Sequence, residues 1–170
     1  MRIRLYIYTA FVLLVTVWCL AIVAAPVLSS SGETSRATGL LIYEGFSRIC
    51  HQIDERSFHI AGLKLGVCIR CCSIYFGFLG TLILLPIFFN LERLRIPSVR
   101  WFLIAIAPML VDVIFHDTGV QPSTLFSRLT TGLMLGAVLP LYIVPPLLEA
   151  ATRIKTALLN AGEFHARKTQ

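Results

Sequence analysis

Three stretches of the chain carry no charged residue: residues 5–28, 71–91 and 129–148, of 24, 21 and 20 positions. A helix rises about 1.5 Å per residue, so about 20 apolar residues cross the roughly 30 Å of a bilayer's hydrocarbon. Each stretch is long enough for one span. A fourth, residues 101–116, is shorter and holds Asp112; it is read as a span that continues towards Gly119. The pattern predicts an all-α integral membrane bundle of four transmembrane helices, forming a single domain over residues 1–170. A long Cys-rich loop over 29–70 joins helices 1 and 2, and a polar tail covers 149–170. Pro86, Pro108, Pro140 and the Pro145-Pro146 pair fall inside these spans, which is tolerated where neighbouring helices satisfy the freed carbonyls. Pro140 and the Pro145-Pro146 pair should bend the last span. Arg2 and Arg4 before the first stretch suit a signal peptide, but the apolar core of a signal runs about 7–15 residues. The first stretch is therefore read as a retained helix. Trp18 does not suit a lipoprotein site before Cys19, which reads as a packed apolar residue.

Composition agrees with this division. The 170 residues are 56% hydrophobic and 14% charged, with a mean hydropathy of +0.79. A soluble domain carries about 25% charged residues, so a water-exposed globule is excluded. The net charge of +6 invites a nucleic-acid partner, but the 15 basic residues lie in short clusters between uncharged runs. Topology-setting charges are distributed in that way. The expected partner is the lipid bilayer, and no nucleic acid. Arg2, Arg4, Arg93, Arg95, Arg100, Arg153, Lys155, Arg167 and Lys168 fall on one side, nine against the six of Arg36, Arg48, Arg56, Lys64, Arg70 and Arg128. That bias places both termini in the cytoplasm and the Cys-rich loop outside.

Candidate chemistry concentrates in that loop. Cys50, Cys68, Cys71 and Cys72, with His51 and His59, fall between residues 50 and 72. Cys68-Ile-Arg-Cys71 is a C-x-x-C pair at the mouth of the second span, a spacing that ligates a metal ion or closes a disulfide. Cys50 adds a third thiol, and His51 or His59 an imidazole. Three Cys and one His form a tetrahedral zinc set. Arg48, Arg56, Lys64 and Arg70 nearby favour thiolates; Arg70 alone reads as an interfacial anchor. The apolar segment 39–49 is too short to span, so it lies in the interface or re-enters the bundle, holding Cys50 near the second span.

These residues resemble a family of small prokaryotic membrane proteins, domain-of-unknown-function family 2085. The resemblance runs over roughly residues 45–136. Its first block is Cys50-His51-Gln52, Arg56-Ser57-Phe58, Gly62, Cys68-Ile-Arg70-Cys71 and Tyr75-Phe-Gly77. Its second is Asp112, Gln121, Ser123 and Arg128-Leu-Thr-Thr131-Gly132. The chain departs from the family at Cys72-Ser73, where Thr-Gly is usual, at Thr124 for an asparagine and at Val113 for a glycine. Cys72 thus reads as an extra thiol outside the site. The resemblance implies a prokaryotic cytoplasmic membrane and a site map, and it brings no established activity.

The second cluster has its own logic. Asp112 and His116 are spaced i, i+4 on one helix face. A carboxylate within a span is costly and has a partner or a task; Arg128, at the start of the fourth span, is the expected partner, with a metal or proton-relay role as the alternative. His116 reads as interfacial, Gln121 and Ser123 as loop hydrogen-bonders, and His165 as solvated in the tail. Gly132-Leu-Met-Leu-Gly136 is a small-xxx-small pattern, marking a helix contact within the chain or in a homodimer.

Three functions are compatible with these residues. The first is metal binding by Cys50, His51, Cys68 and Cys71, with Arg56, Ser57, Arg70, Asp112, His116, Gln121 and Arg128 as possible supporting residues. Zinc is the expected ion, with copper or iron as alternatives. The second is a thiol–disulfide oxidoreductase, resembling the vitamin K epoxide reductase type in architecture only; the resemblance implies that Cys50 shuttles electrons to Cys68 and Cys71 and on to a quinone. The third is a non-catalytic scaffold tied by a structural disulfide. No catalytic residue is assigned.

Overall fold

The computed structural model describes the backbone of residues 2–168 and the side-chain environment of residues 3–157; the side chain of His165 lies outside them. Helix α1 covers Arg2–Ser29, α2 Glu33–Ser47, α3 Ile69–Phe88, α4 Val99–Asp117 and α5 Leu125–Lys168. Between α2 and α3 come a short 3-10 turn, Asp54–Arg56, and two strands, β1 His59–Ile60 and β2 Leu63–Lys64. Four helices are long and apolar enough to cross a membrane: α1, α3, α4 and the first part of α5. The protein is an all-α membrane bundle, as the spacing of charges predicts. Its outward faces carry Leu13, Leu14, Ile87, Trp101 and Ile104 exposed, the surface that lipid would cover.

The predicted loop is more structured than its composition suggested. α2 lies against α1, with Gly39 facing the Ala25 carbonyl and Ser29; a side chain there would hold the two helices apart. The β1–β2 hairpin pairs His59 with Lys64 and Ile60 with Leu63. Its two-residue turn, Ala61-Gly62, has φ of +51° and +78°, the double positive φ of a I′ turn. The stretch read as a polar tail continues α5. α5 continues without interruption through Pro140, Pro145 and Pro146 and on past Leu148 to Lys168. The segment 150–158 is built from Ala, Arg, Ile, Lys, Thr and Leu, mostly good helix formers, and Arg153 Nη2 reaches Glu149 Oε1 at 2.7 Å, one turn away.

Two apolar clusters hold the bundle. One joins Tyr8 of α1, Leu82 and Leu85 of α3, and Val144 and Leu148 of α5. Within it the Tyr8 hydroxyl donates to the Leu82 carbonyl. Pro86, four residues on, has no N–H to offer that carbonyl, so the tyrosine supplies the missing donor. The other cluster joins Ile22, Phe46, Cys50, Leu65, Val67 and Cys72 at the opposite end. α3 and α5 make the most extensive helix contact. A Cβ on Gly132 would meet the Arg70 carbonyl and Ser73 Cβ, both at 2.8 Å, and one on Gly136 would press on Ile74 backbone. The small-xxx-small face at Gly132 and Gly136 is thus occupied within the chain by α3, the first of the two contacts expected of it.

Candidate metal centre

Cys68 is the residue before α3, with extended backbone (φ −67°, ψ 164°), and Cys71 lies in the first helical turn. Positions three apart meet on one helix face, so the C-x-x-C pair converges at the helix start. Cys50 arrives from the end of α2, where its N–H donates to the Phe46 carbonyl at 3.0 Å. The Cys68 N–H donates to Cys50 Sγ at 3.2 Å. The three Sγ atoms lie within 4.8 Å of one another. None of the five cysteines is bridged to another. Cys50 is buried, and Cys68 and Cys71 are half-buried. Hydrogen bonds from the Cys68 and Cys71 thiols, together with that from the Cys68 backbone, outweigh burial and hold the Cys50 thiol well below its ordinary range. Cys50 is thus the sulfur best disposed to carry negative charge.

Gln52 braces this arrangement and was missed as a site residue, although it stands in the Cys50-His51-Gln52 motif. Its backbone has φ +50°. Its Nε2 donates to the carbonyls of Tyr43 and Gly66, both at 2.8 Å, and its own carbonyl accepts from Lys64 Nζ at 2.6 Å. One side chain thus ties α2 to the strand-to-α3 connection, fixing Cys50 against Cys68. The Tyr43 hydroxyl, donating to the Lys64 carbonyl, adds a second tie.

A cavity of about 300 Å³ opens beside the thiols. Cys50, Cys68 and Cys71 line one part of it, and Arg56, Arg70 and Arg128 another; His51 is at its exposed edge. The close group comprises the three thiols. Cys72 turns into the apolar cluster with Ile22 and Phe46. His59 is exposed and faces Asp54 at 3.3 Å. Ser57 is buried, with its hydroxyl on the Ile53 carbonyl at 2.8 Å.

The second polar cluster joins the first through a different partner from the one expected. Asp112 pairs with Arg70, not Arg128, tying α4 to α3. The reason is the close approach at Gly132, which presses the first turn of α3 onto α5 and leaves Arg70 directed at α4. Arg70 is therefore an ion-pair partner rather than a free interfacial anchor. His116 accepts at Nε2 from Arg56 Nη2 at 2.9 Å, which draws it into the site. Gln121 is exposed, and its backbone N–H closes the turn onto the Phe115 carbonyl at 3.1 Å. Ser123 is half-buried against α4.

The family model for predicted membrane proteins of the DUF2085 family matches residues 50–142, from the first thiol through both polar clusters. The chain belongs to the DUF2085 family. The uncharacterized protein MJ1492 of Methanocaldococcus jannaschii is 36% identical over 136 residues, covering 78% of this chain and 87% of that protein. No solved structure matches the chain. The family's matched region contains the three clustered thiols and the three arginines of the cavity, whereas Ile49 of its lining, α1 and α2 lie outside it.

Proposed function

We propose that this DUF2085 protein binds a metal ion through Cys50, Cys68 and Cys71, zinc before copper or iron. The observation that carries this reading is the approach of three unbridged sulfurs to within 4.8 Å of one another. A tetrahedral zinc with Zn–S of about 2.3 Å separates its sulfurs by about 3.8 Å, so a small adjustment of side chains closes the set. The Cys68 N–H on Cys50 Sγ supports the same reading, because a metal-bound sulfur accepts such bonds. His51, exposed beside the cavity, is the fourth ligand within the chain; a solvent molecule is the other choice. Three thiolates suit zinc or copper(I). The lysine and arginine distribution supports an outward-facing site with both termini in the cytoplasm.

Purification in mild detergent without oxygen, followed by elemental analysis, tests this. About one tightly held ion per chain is expected, lost in the Cys68→Ser/Cys71→Ser variant and kept in Cys72→Ser. Full retention of metal in the double variant would sink the assignment.

A second reading, thiol–disulfide exchange, draws support from an apolar cavity of about 320 Å³ lined by Phe11, Trp18, Tyr75 and Phe78. Tyr75 also packs on the cluster containing Cys50. In that reading Cys68 and Cys71 form a disulfide while a quinone in the apolar cavity takes up the two electrons and two protons. A mixed disulfide trapped in Cys71→Ser under oxidising conditions would favour it over a metal site.

A further inference from the structure

The thiols account for only part of the cavity beside them. Another part is built from three guanidinium groups, and they are not evenly partnered. Arg70 faces Asp112 and Arg56 faces His116. Arg128 has no side-chain hydrogen bond or ion pair among the described residues, although it is only 5% exposed. The Nε of Arg70 is likewise buried without an acceptor. A buried cation with no counter-charge is strongly unfavourable, and a buried N–H without an acceptor adds to that cost. Arg70 and Arg128 both line the cavity, although the Arg70 Nε itself has no surface open to it.

The charges do not cancel within the site. Three guanidiniums stand against the single carboxylate of Asp112. Three ionised thiols around a divalent ion add one net negative charge, and the group still remains positive. The N-terminal ends of α3 and α5 lie at this end of the bundle, and the positive ends of helix dipoles favour an anion there. Guanidinium is planar and offers paired donors that match the oxygens of a phosphate or a carboxylate. A cavity of about 300 Å³ has ample room for such a group.

We propose that this cavity binds a phosphate-type oxyanion, with Arg128 as its main charge partner and the Arg56 and Arg70 side chains beside it. The anion neutralises the buried charge that the protein alone leaves unmatched. The inference stands independently of the metal. Two sources supply this chemistry: a free anion from solution, or the headgroup of an anionic lipid entering from the bilayer beside α4 and α5.

The test uses the full chain in phosphatidylcholine nanodiscs. Isothermal titration with inorganic phosphate, at constant ionic strength with chloride as reference, should show saturable binding. Arg128→Gln should weaken it by about 10- to 100-fold, the worth of a charged hydrogen-bonding partner. If Arg128→Gln does not fold, Arg56→Gln is read instead, with weakening in the same direction. Nanodiscs containing phosphatidic acid form the second arm: occupancy by that lipid, lost in the arginine variant, identifies a headgroup as the source. The Cys68→Ser/Cys71→Ser variant should still bind the anion, so failure of the metal reading and failure of this one are distinguishable. Absence of saturable binding in both arms overturns the proposal, as does binding in the arginine variant equal to wild type.

Discussion

Substituting Gly132 by alanine tests the contact that orients the site. The added Cβ would lie 2.8 Å from the Arg70 carbonyl oxygen and from Ser73 Cβ. Ordinary contacts between such atoms are about 3.5–4.0 Å, so α3 and α5 must part by about 0.7–1.2 Å. Overpacking of this kind costs about 1–3 kcal/mol. Alanine also gains about 1 kcal/mol of helix propensity over glycine, which hides part of the cost. Gly80, on α3, has nothing within 4 Å of a built Cβ, and Gly80→Ala collects the propensity gain alone. The difference between the two variants therefore isolates the clash, at about 1–3 kcal/mol. For a chain of this length that is about 2–12 °C in Tm, at about 2–4 °C per kcal/mol. Thermal unfolding in detergent, followed by the fluorescence of Trp18 against Phe46 and Tyr75, measures both variants. Gly132→Ala must be the less stable of the two. Equal Tm values would refute the close-packed seam and the account of why Arg70 faces Asp112.

Further outcomes follow from the polar ties. Asp112→Asn removes the partner of Arg70, in a pair whose side chains are 16% and 11% exposed; the expected loss is about 3–5 kcal/mol. Adding Arg70→Met should recover much of it, and a double-mutant cycle by chemical denaturation that finds the two substitutions additive would contradict the pairing. Gln52→Ala unties α2 from the connection to α3, and metal affinity should fall by about 10- to 100-fold. Competition with a chelator measures this, and an unchanged affinity would remove Gln52 from the site's support.

The four spans were legible because lipid imposes a length and an absence of charge on every one of them. The thiol cluster was legible for a related reason: Cys68 and Cys71 are brought together by the helix repeat, and Cys50 stands in the same concentration of Cys and His between residues 50 and 72. What escaped was long-range. Arg128 and Arg70 are both cations predicted on the outer side, and no local pattern says which faces Asp112. The choice depends on how deeply α3 sits in the groove at Gly132, a packing detail between helices. α2 and the β1–β2 hairpin were obscured by their shortness, since a 15-residue helix and two-residue strands leave little periodic signal. Where α5 ends was not legible from the apolar run, because a bilayer limits that run and does not stop a helix from continuing into water.

The distribution of the site along the chain has a consequence for biosynthesis. The three sulfurs are all present once the ribosome has passed Cys71, before any of α4 has been made. Arg70 acquires its carboxylate only when Asp112 has been synthesised and inserted, and Arg128 reaches its cavity later still. Completion of the thiol cluster and closure of the helical bundle are thus separate stages of synthesis, with the sulfurs in place before the charges that enclose them.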